Sequence, residues 1–176
     1  MKEHILFVNP WIYDFTAYDL WMKPLGLLYL ASHLREAGYR ISFLDCLDRN
    51  HPAMPAPNNI GPKRLKNLGC GGYYRERMPK PAQFNSIPRF WSRFGFPMDQ
   101  VMDQFKKMDP PDWVFITCAM TYWYPGAVVF FHLIRKLWKK TRVMIGGWYP
   151  TLCPDHAQEW GFDRVVEGVD PVKVMV

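Results

Sequence analysis

Five short apolar runs, alternating with helical patterns, constrain this chain more than any other feature. The first, His4 to Asn9 (HILFVN), is too brief for a helix and stops at Asn9-Pro10, so it reads as a buried strand. From Pro24 the spacing turns helical, with Leu27, Leu30, Ala31 and Leu34 on one face, Pro24 suited to the first turn and Gly38 to the C-terminal cap. Tyr39 to Asp45 (YRISFLD) is a second strand. A strand, a helix and a strand this close make a βαβ unit, whose strands must run parallel and whose crossover is right-handed.

Residues 46–97 interrupt the rhythm, which resumes with a short helix over Met98 to Met108 and a third strand, Trp113 to Thr117 (WVFIT). After the loop Cys118 to Gly126, a helix places Ala127, Phe130, Phe131, Ile134 and Trp138 on one face, with Arg135, Lys136, Lys139 and Lys140 near its end, where cations suit the helix dipole. Arg142 to Ile145 is the fourth strand and stops at Gly146-Gly147. A last short helix, Pro154 to Trp160, leads to a fifth strand, Arg164 to Val166, followed by Glu167-Gly168. Strands alternating with helices predict an α/β fold: a doubly wound, Rossmann/flavodoxin-like five-stranded parallel sheet with a long insertion after the second strand. At 176 residues and 49% hydrophobic composition, the chain 1–176 fits a single domain.

The insertion over 46–97 is rich in proline (Pro52, Pro55, Pro57, Pro62, Pro79, Pro81, Pro88, Pro97) and carries Gly69, Gly71 and Gly72. Its aromatic residues, Tyr73, Tyr74, Phe84, Phe90, Trp91, Phe94 and Phe96, are too many for a disordered segment, so it is expected to pack. Between Ile60 and Gly95 eight cations (Lys63, Arg64, Lys66, Arg75, Arg77, Lys80, Arg89, Arg93) face Glu76 alone, a net of +7 against +6 for the whole chain.

Several function classes lose ground. No early stretch resembles a signal peptide, and the apolar run near Ala127 to Ile134 is broken by His132 and falls far short of the roughly 20 residues a membrane-spanning helix needs. No membrane partner is expected. Cys46, Cys70, Cys118 and Cys153 are scattered without a C-x-x-C pair, which fits free thiols in a reducing cytoplasm and encodes no local zinc or iron–sulfur site. Neither G-x-G-x-x-G nor G-x-x-x-x-G-K-[ST] occurs, which argues against classical dinucleotide and nucleoside triphosphate sites.

Ligands of open parallel sheets bind outside the carboxyl ends of the strands, near the point where strand order reverses. Four loops qualify: Asn9 to Lys23, the start of the insertion, Cys118 to Gly126, and Gly146 to Cys153. The third crowds Tyr122, Trp123 and Tyr124 together, either to line a ligand or to cap the sheet. Thr117, Thr121 and Thr151 offer hydroxyls to a ligand or to the following helix. Gly146-Gly147 has two readings, a turn needing positive φ or a ligand passing within van der Waals distance of the strand end. Asp14 and Asp19 read as solvated loop positions that could orient a ligand.

PLGLLYLASHLREAG, DWVFITCAMTYWYPG, IGGWYPTLCPDHA, DRVVEG and the insertion segment RERMPKPAQFNSIPRFWSRFG together resemble the N-terminal cobalamin-binding-type domain of radical S-adenosylmethionine proteins, over most of the chain. The resemblance implies a corrin ring across the carboxyl ends of the strands and a nucleotide tail running past the twin glycines. Carried onto this chain, it implies cofactor contacts at Asn9, Pro10, Thr117, Cys118, Met120, Thr121, Tyr122, Gly146, Gly147, Tyr149, Thr151, Glu167 and Gly168, with no catalytic and no metal-ligating residue. The D-x-H-x-x-G motif of corrinoid mutases is missing: the first loop, NPWIYDFTAYDLW, has no histidine, and His51 follows the wrong strand. The resemblance implies cobalamin bound base-off, without a histidine ligand from that loop.

No C-x-x-x-C-x-x-C motif occurs in the 176 residues, so S-adenosylmethionine and a 4Fe-4S cluster are expected only in a C-terminal barrel domain, on the same full-length chain or a separate subunit. The expected role is a corrinoid-binding module serving methyl transfer or related radical chemistry. The alternatives are a domain that keeps the fold without the corrinoid, serving interactions, and a nucleic-acid module using the basic insertion. A surface loop docking on a partner explains the same basic residues, so nucleic acid is not expected. A flavodoxin would load its first loop with Ser, Thr and Gly, and a receiver domain needs a phosphorylatable Asp after the third strand; the chain has neither.

Overall fold

The computed structural model describes residues 2–56 and 69–168. Pro57, Pro62, Lys63, Arg64 and Lys66 of the insertion lie outside the described residues. The elements are β1 (His4–Asn9), β2 (Ile12–Asp14), β3 (Tyr18–Asp19), α1 (Leu25–Glu36), β4 (Arg40–Asp45), β5 (Gly71–Gly72), β6 (Arg75–Arg77), β7 (Ser92–Phe94), α2 (Met98–Lys106), β8 (Trp113–Thr117), α3 (Tyr124–Leu137), β9 (Arg142–Gly146), α4 (Trp148–Leu152), α5 (Pro154–Gln158) and β10 (Arg164–Val165). They group into two compact units, one of residues 1–10, 24–45 and 109–176, the other of residues 11–23 and 46–108.

The first unit holds a five-stranded sheet of order β10-β9-β8-β1-β4, with every pairing parallel. In chain order its strands stand 2-1-3-4-5 from one edge, so the order reverses between β1 and β8, as in doubly wound folds. All six residues of β1 are buried, as expected for a strand covered on both faces. With side chains alternating, Ile5 and Phe7 join Leu27, Ala31 and Leu34 of α1, Phe115, Met144 and Val166 in one core cluster. Helix α3 buries Ala127, Phe130, Phe131 and Ile134, each stabilising by roughly 1.5–3 kcal/mol where a large side chain leaves water. Right-handed crossovers leaving β1 and β8 in opposite directions put α1 and α3 on opposite faces. His132 is exposed rather than part of the core, because it lies on the outer side of α3.

The second unit shows how the insertion packs. The first loop, which reads as irregular in the sequence, contributes β2 and β3: β2-β7-β6 form an antiparallel sheet, and β3 pairs with β5. Phe15 meets Trp91 and Phe84 edge-on, at centroid distances of 5.0 and 5.5 Å. Arg93, buried, forms an ion pair with Glu76 and lies 5.1 Å from the Trp11 ring. Asp19 is not a solvated loop residue: it is 4% exposed and accepts a 2.9 Å bond from Arg49 Nε.

One titratable group is locked into the sheet at the end away from the strand carboxyl termini. His4 is buried, its Nε2 is 2.9 Å from Ser42 Oγ, and its Nδ1 meets no partner among the described residues. Burial, followed by the charge of Arg40, holds its pKa below the ordinary 6.5, against weaker opposition from Asp112 and Asp109. The folded state thus binds this proton less well than the unfolded chain. Stability should be full above the unfolded value of 6.5 and fall as pH drops below it, by up to about 1.4 kcal/mol per pH unit, until the folded pKa is reached. His4→Gln should flatten that part of the curve, measured as urea midpoints between pH 7 and pH 5.

Candidate functional site

The carboxyl ends of the sheet strands, all within the first unit, carry the candidate residues. At the β1 end Asn9 and Pro10 are both buried. Asn9 Nδ2 donates a 2.7 Å bond to Asp45 Oδ1, tying the ends of β1 and β4 together. On the other side of the reversal point, Thr117 pairs with Gly146, and the Cys118 N–H donates to the Gly146 carbonyl at 2.9 Å. The Cys118 carbonyl accepts from Tyr149 N–H at 3.2 Å, so the β8 end is stitched to both sides of the twin glycines.

That stitching explains one glycine of the pair. Gly147 has φ +104 and ψ −167, a conformation essentially restricted to glycine. A Cβ there would lie 2.6 Å from the Cys118 carbonyl oxygen and 3.0 Å from its nitrogen. The space beside Gly147 is therefore filled by the protein's own backbone, and no ligand is needed to account for that residue. Gly146 differs: φ is not positive, and an added Cβ would meet only Val166 Cβ, at 4.0 Å.

Thr151 belongs to the same stitching. Its Oγ1 donates to the Gly147 carbonyl at 2.7 Å and accepts from Gly168 N–H at 3.0 Å, joining the start of α4 to the end of the last strand. Gly168, at φ +82, is exposed beside exposed Glu167, and nothing stands within 4 Å of where its Cβ would be. Tyr149 is 1% exposed, stacked on Tyr124 at 5.4 Å with its hydroxyl 2.9 Å from His156 Nδ1, and burial holds that hydroxyl's pKa far above its usual range. As a ligand contact it is corrected to a core residue, since almost none of its surface is free. Cys118 is likewise buried, with its Sγ donating to the Met120 carbonyl at 3.2 Å, and burial pushes its thiol up to about 12 against the weaker opposition of a backbone hydrogen bond at Met120. It is a protonated thiol, without nucleophilic character at neutral pH.

What faces outward at this rim is mainly apolar. Met120 is 40% and Tyr122 56% exposed, with Thr121 half-buried between them. Within the aromatic loop Tyr124 stacks on buried Tyr149 while Tyr122 faces outward. Trp148 and Leu152, not among the expected contacts, are 61% and 63% exposed at i, i+4 on α4, the helix that contacts the turn carrying Tyr122. Their spacing was a usable signal, obscured by Pro150 within so short a helix. Among the described residues no cluster of three His, Cys, Asp or Glu could hold a metal ion.

No protein-family model matches the chain. No curated protein matches it either. Among solved structures, a protein from Desulfitobacterium hafniense described as a novel cobalamin-binding protein matches with a TM-score of 0.52 and 12% sequence identity, over 98% of this chain and 56% of that one. The likeness shows the fold, an α/β doubly wound parallel sheet, and the chain spans little more than half the length of that protein.

Proposed function

We propose that the first unit is a corrinoid-binding module, with cobalamin lying against the carboxyl rim of the sheet. The observation that carries this reading is the fold shared with a cobalamin-binding protein over 98% of the chain. The rim supports it independently. At Gly146 a side chain is missing that the backbone would tolerate, and exposed Met120, Tyr122 and half-buried Thr121 and Thr117 offer apolar and hydroxyl contacts with few charges. That mixture suits a large apolar ring edged with amides. Gly147, Thr151 and Tyr149 would support such a site from behind, since their polar atoms are engaged within the protein.

A bound corrinoid would supply a cobalt centre able to carry a methyl group. Around it this chain would bind, orient and exclude water, leaving activation of the partner substrate to other groups. We place the module in the service of a radical S-adenosylmethionine barrel with its own 4Fe-4S cluster, for methyl transfer or related radical chemistry, in the cytoplasm. With its nucleotide tail drawn away along the strand ends, as the resemblance implies, and with no histidine in the first loop, the cofactor should bind base-off and without a nitrogen ligand. The test is to mix purified protein with hydroxocobalamin, desalt it, reduce the retained pigment to the Co(II) state and record its electron paramagnetic resonance. Retained colour without nitrogen splitting is expected; a colourless eluate would remove the proposal, and nitrogen splitting would remove the base-off assignment.

A further inference from the structure

In the second unit, Leu20, Trp21 and Met22 form a turn whose three consecutive large apolar side chains are 56%, 63% and 37% exposed. Trp21 sits at φ +62, and it is the one described non-glycine residue with positive φ. For a bulky residue this conformation costs on the order of 1–2 kcal/mol, a strain that persists only where the surroundings enforce it.

The surroundings here are built for that purpose. Asp19, buried, accepts from Met22 N–H at 2.9 Å with one carboxylate oxygen and from Arg49 Nε at 2.9 Å with the other. Arg49 continues to the Gly69 carbonyl. It can do so because Gly71, which pairs with Asp19 across β3 and β5, has no side chain: a Cβ there would collide with the Arg49 guanidinium. Gly69 is itself at φ +77, with Trp21 Nε1 3.5 Å from where its Cβ would be. A buried ion pair and two glycines thus hold in place a turn that shows its apolar side chains to solvent.

Charge selects the occupant. Among the described residues the second unit contains nine Lys and Arg against six Asp and Glu, a net of +3, while those of the first unit are balanced. An apolar prong on a cationic unit is complementary to an anionic bilayer: acyl chains take Leu, Trp and Met, and headgroups take the cations. Single-stranded nucleic acid would use the same charge, but it stacks bases on aromatic faces and has no use for Leu20 and Met22. We propose that the Leu20–Trp21–Met22 turn inserts peripherally into an anionic membrane surface. This departs from the expectation that the chain has no membrane partner, and it is compatible with the absence, among the described residues, of a helix long and apolar enough to cross one.

The test is co-sedimentation with vesicles of phosphatidylcholine containing phosphatidylglycerol at about one lipid in three, over a range of salt. The expected result is binding that weakens with salt and disappears in pure phosphatidylcholine. Trp21→Gly should lower the partition coefficient about tenfold while leaving the melting temperature unchanged or higher, because glycine relieves the positive φ. Leu20→Ser with Met22→Ser should lower it similarly with the fold retained. No sedimentation with anionic vesicles, or sedimentation unchanged in these variants, would overturn the proposal.

Discussion

Gly147→Ala is expected to destabilise the protein by about 3 kcal/mol or more, whether or not any ligand is present. Two costs add. Alanine must adopt φ +104 with ψ −167, and its methyl group must occupy space 2.6 Å from the Cys118 carbonyl oxygen. Neither can relax cheaply, because the Cys118 N–H and carbonyl are both bonded, to Gly146 and Tyr149 respectively. Against a typical total of about 5–15 kcal/mol, that is a large share, and it corresponds to a fall of about 10 °C in melting temperature for a chain of this size. Gly146→Ala, one position earlier, should change stability by less than about 1 kcal/mol, since its methyl group would meet only Val166 at ordinary contact distance. Urea unfolding of the two variants compares them directly; equal losses would contradict the assignment of Gly147 to internal packing.

Arg93→Met carries the second large effect, about 2–3 kcal/mol, and acts in the other unit. Arg93 is 7% exposed, with its guanidinium paired to Glu76 and set near the Trp11 ring. It also touches Tyr13: burial raises the Tyr13 pKa, and the charge and hydrogen bond of Arg93 oppose that rise. Methionine matches much of the volume, so the loss is mainly electrostatic. Glu76 keeps 32% exposure and can turn to water, which is why the cost stays below that of breaking a fully buried pair. In Glu76→Gln with Arg93→Met, part of the loss should be recovered; strict additivity of the two changes would show that the pair is uncoupled.

Strong local periodicity made β1, α1, β4, β8, α3 and β9 readable, with ends within a few residues of those observed. Each carries its own apolar pattern, and β1 in particular is a continuous run because both of its faces are covered. The strands β2 and β3 were not readable, because their partners are distant: Ile12 pairs with Phe94 and Tyr18 with Gly72. Strands of three and two residues contain no periodicity to detect.

The site was readable as a place more than as a set of contacts. The carboxyl rim followed from the alternation of strands and helices alone. Which rim residues face a ligand depends on packing between segments far apart in sequence, such as the Cys118 backbone filling the space beside Gly147, or His156 taking the Tyr149 hydroxyl. Gly146 and Gly147 are neighbours and chemically identical, yet only one leaves room. Asp19 shows the same effect, a loop carboxylate buried by an arginine 30 positions away.

Gly146→Leu separates ligand space from protein space most directly, since the backbone there accepts a side chain. Hydroxocobalamin titrated into the wild type and this variant, with bound pigment counted after desalting, should give about one corrinoid per chain for the former and little or none for the latter, at matched melting temperatures. A wild type that retains no pigment, or a variant that retains as much as the wild type, would contradict a corrinoid seated at the sheet's carboxyl rim.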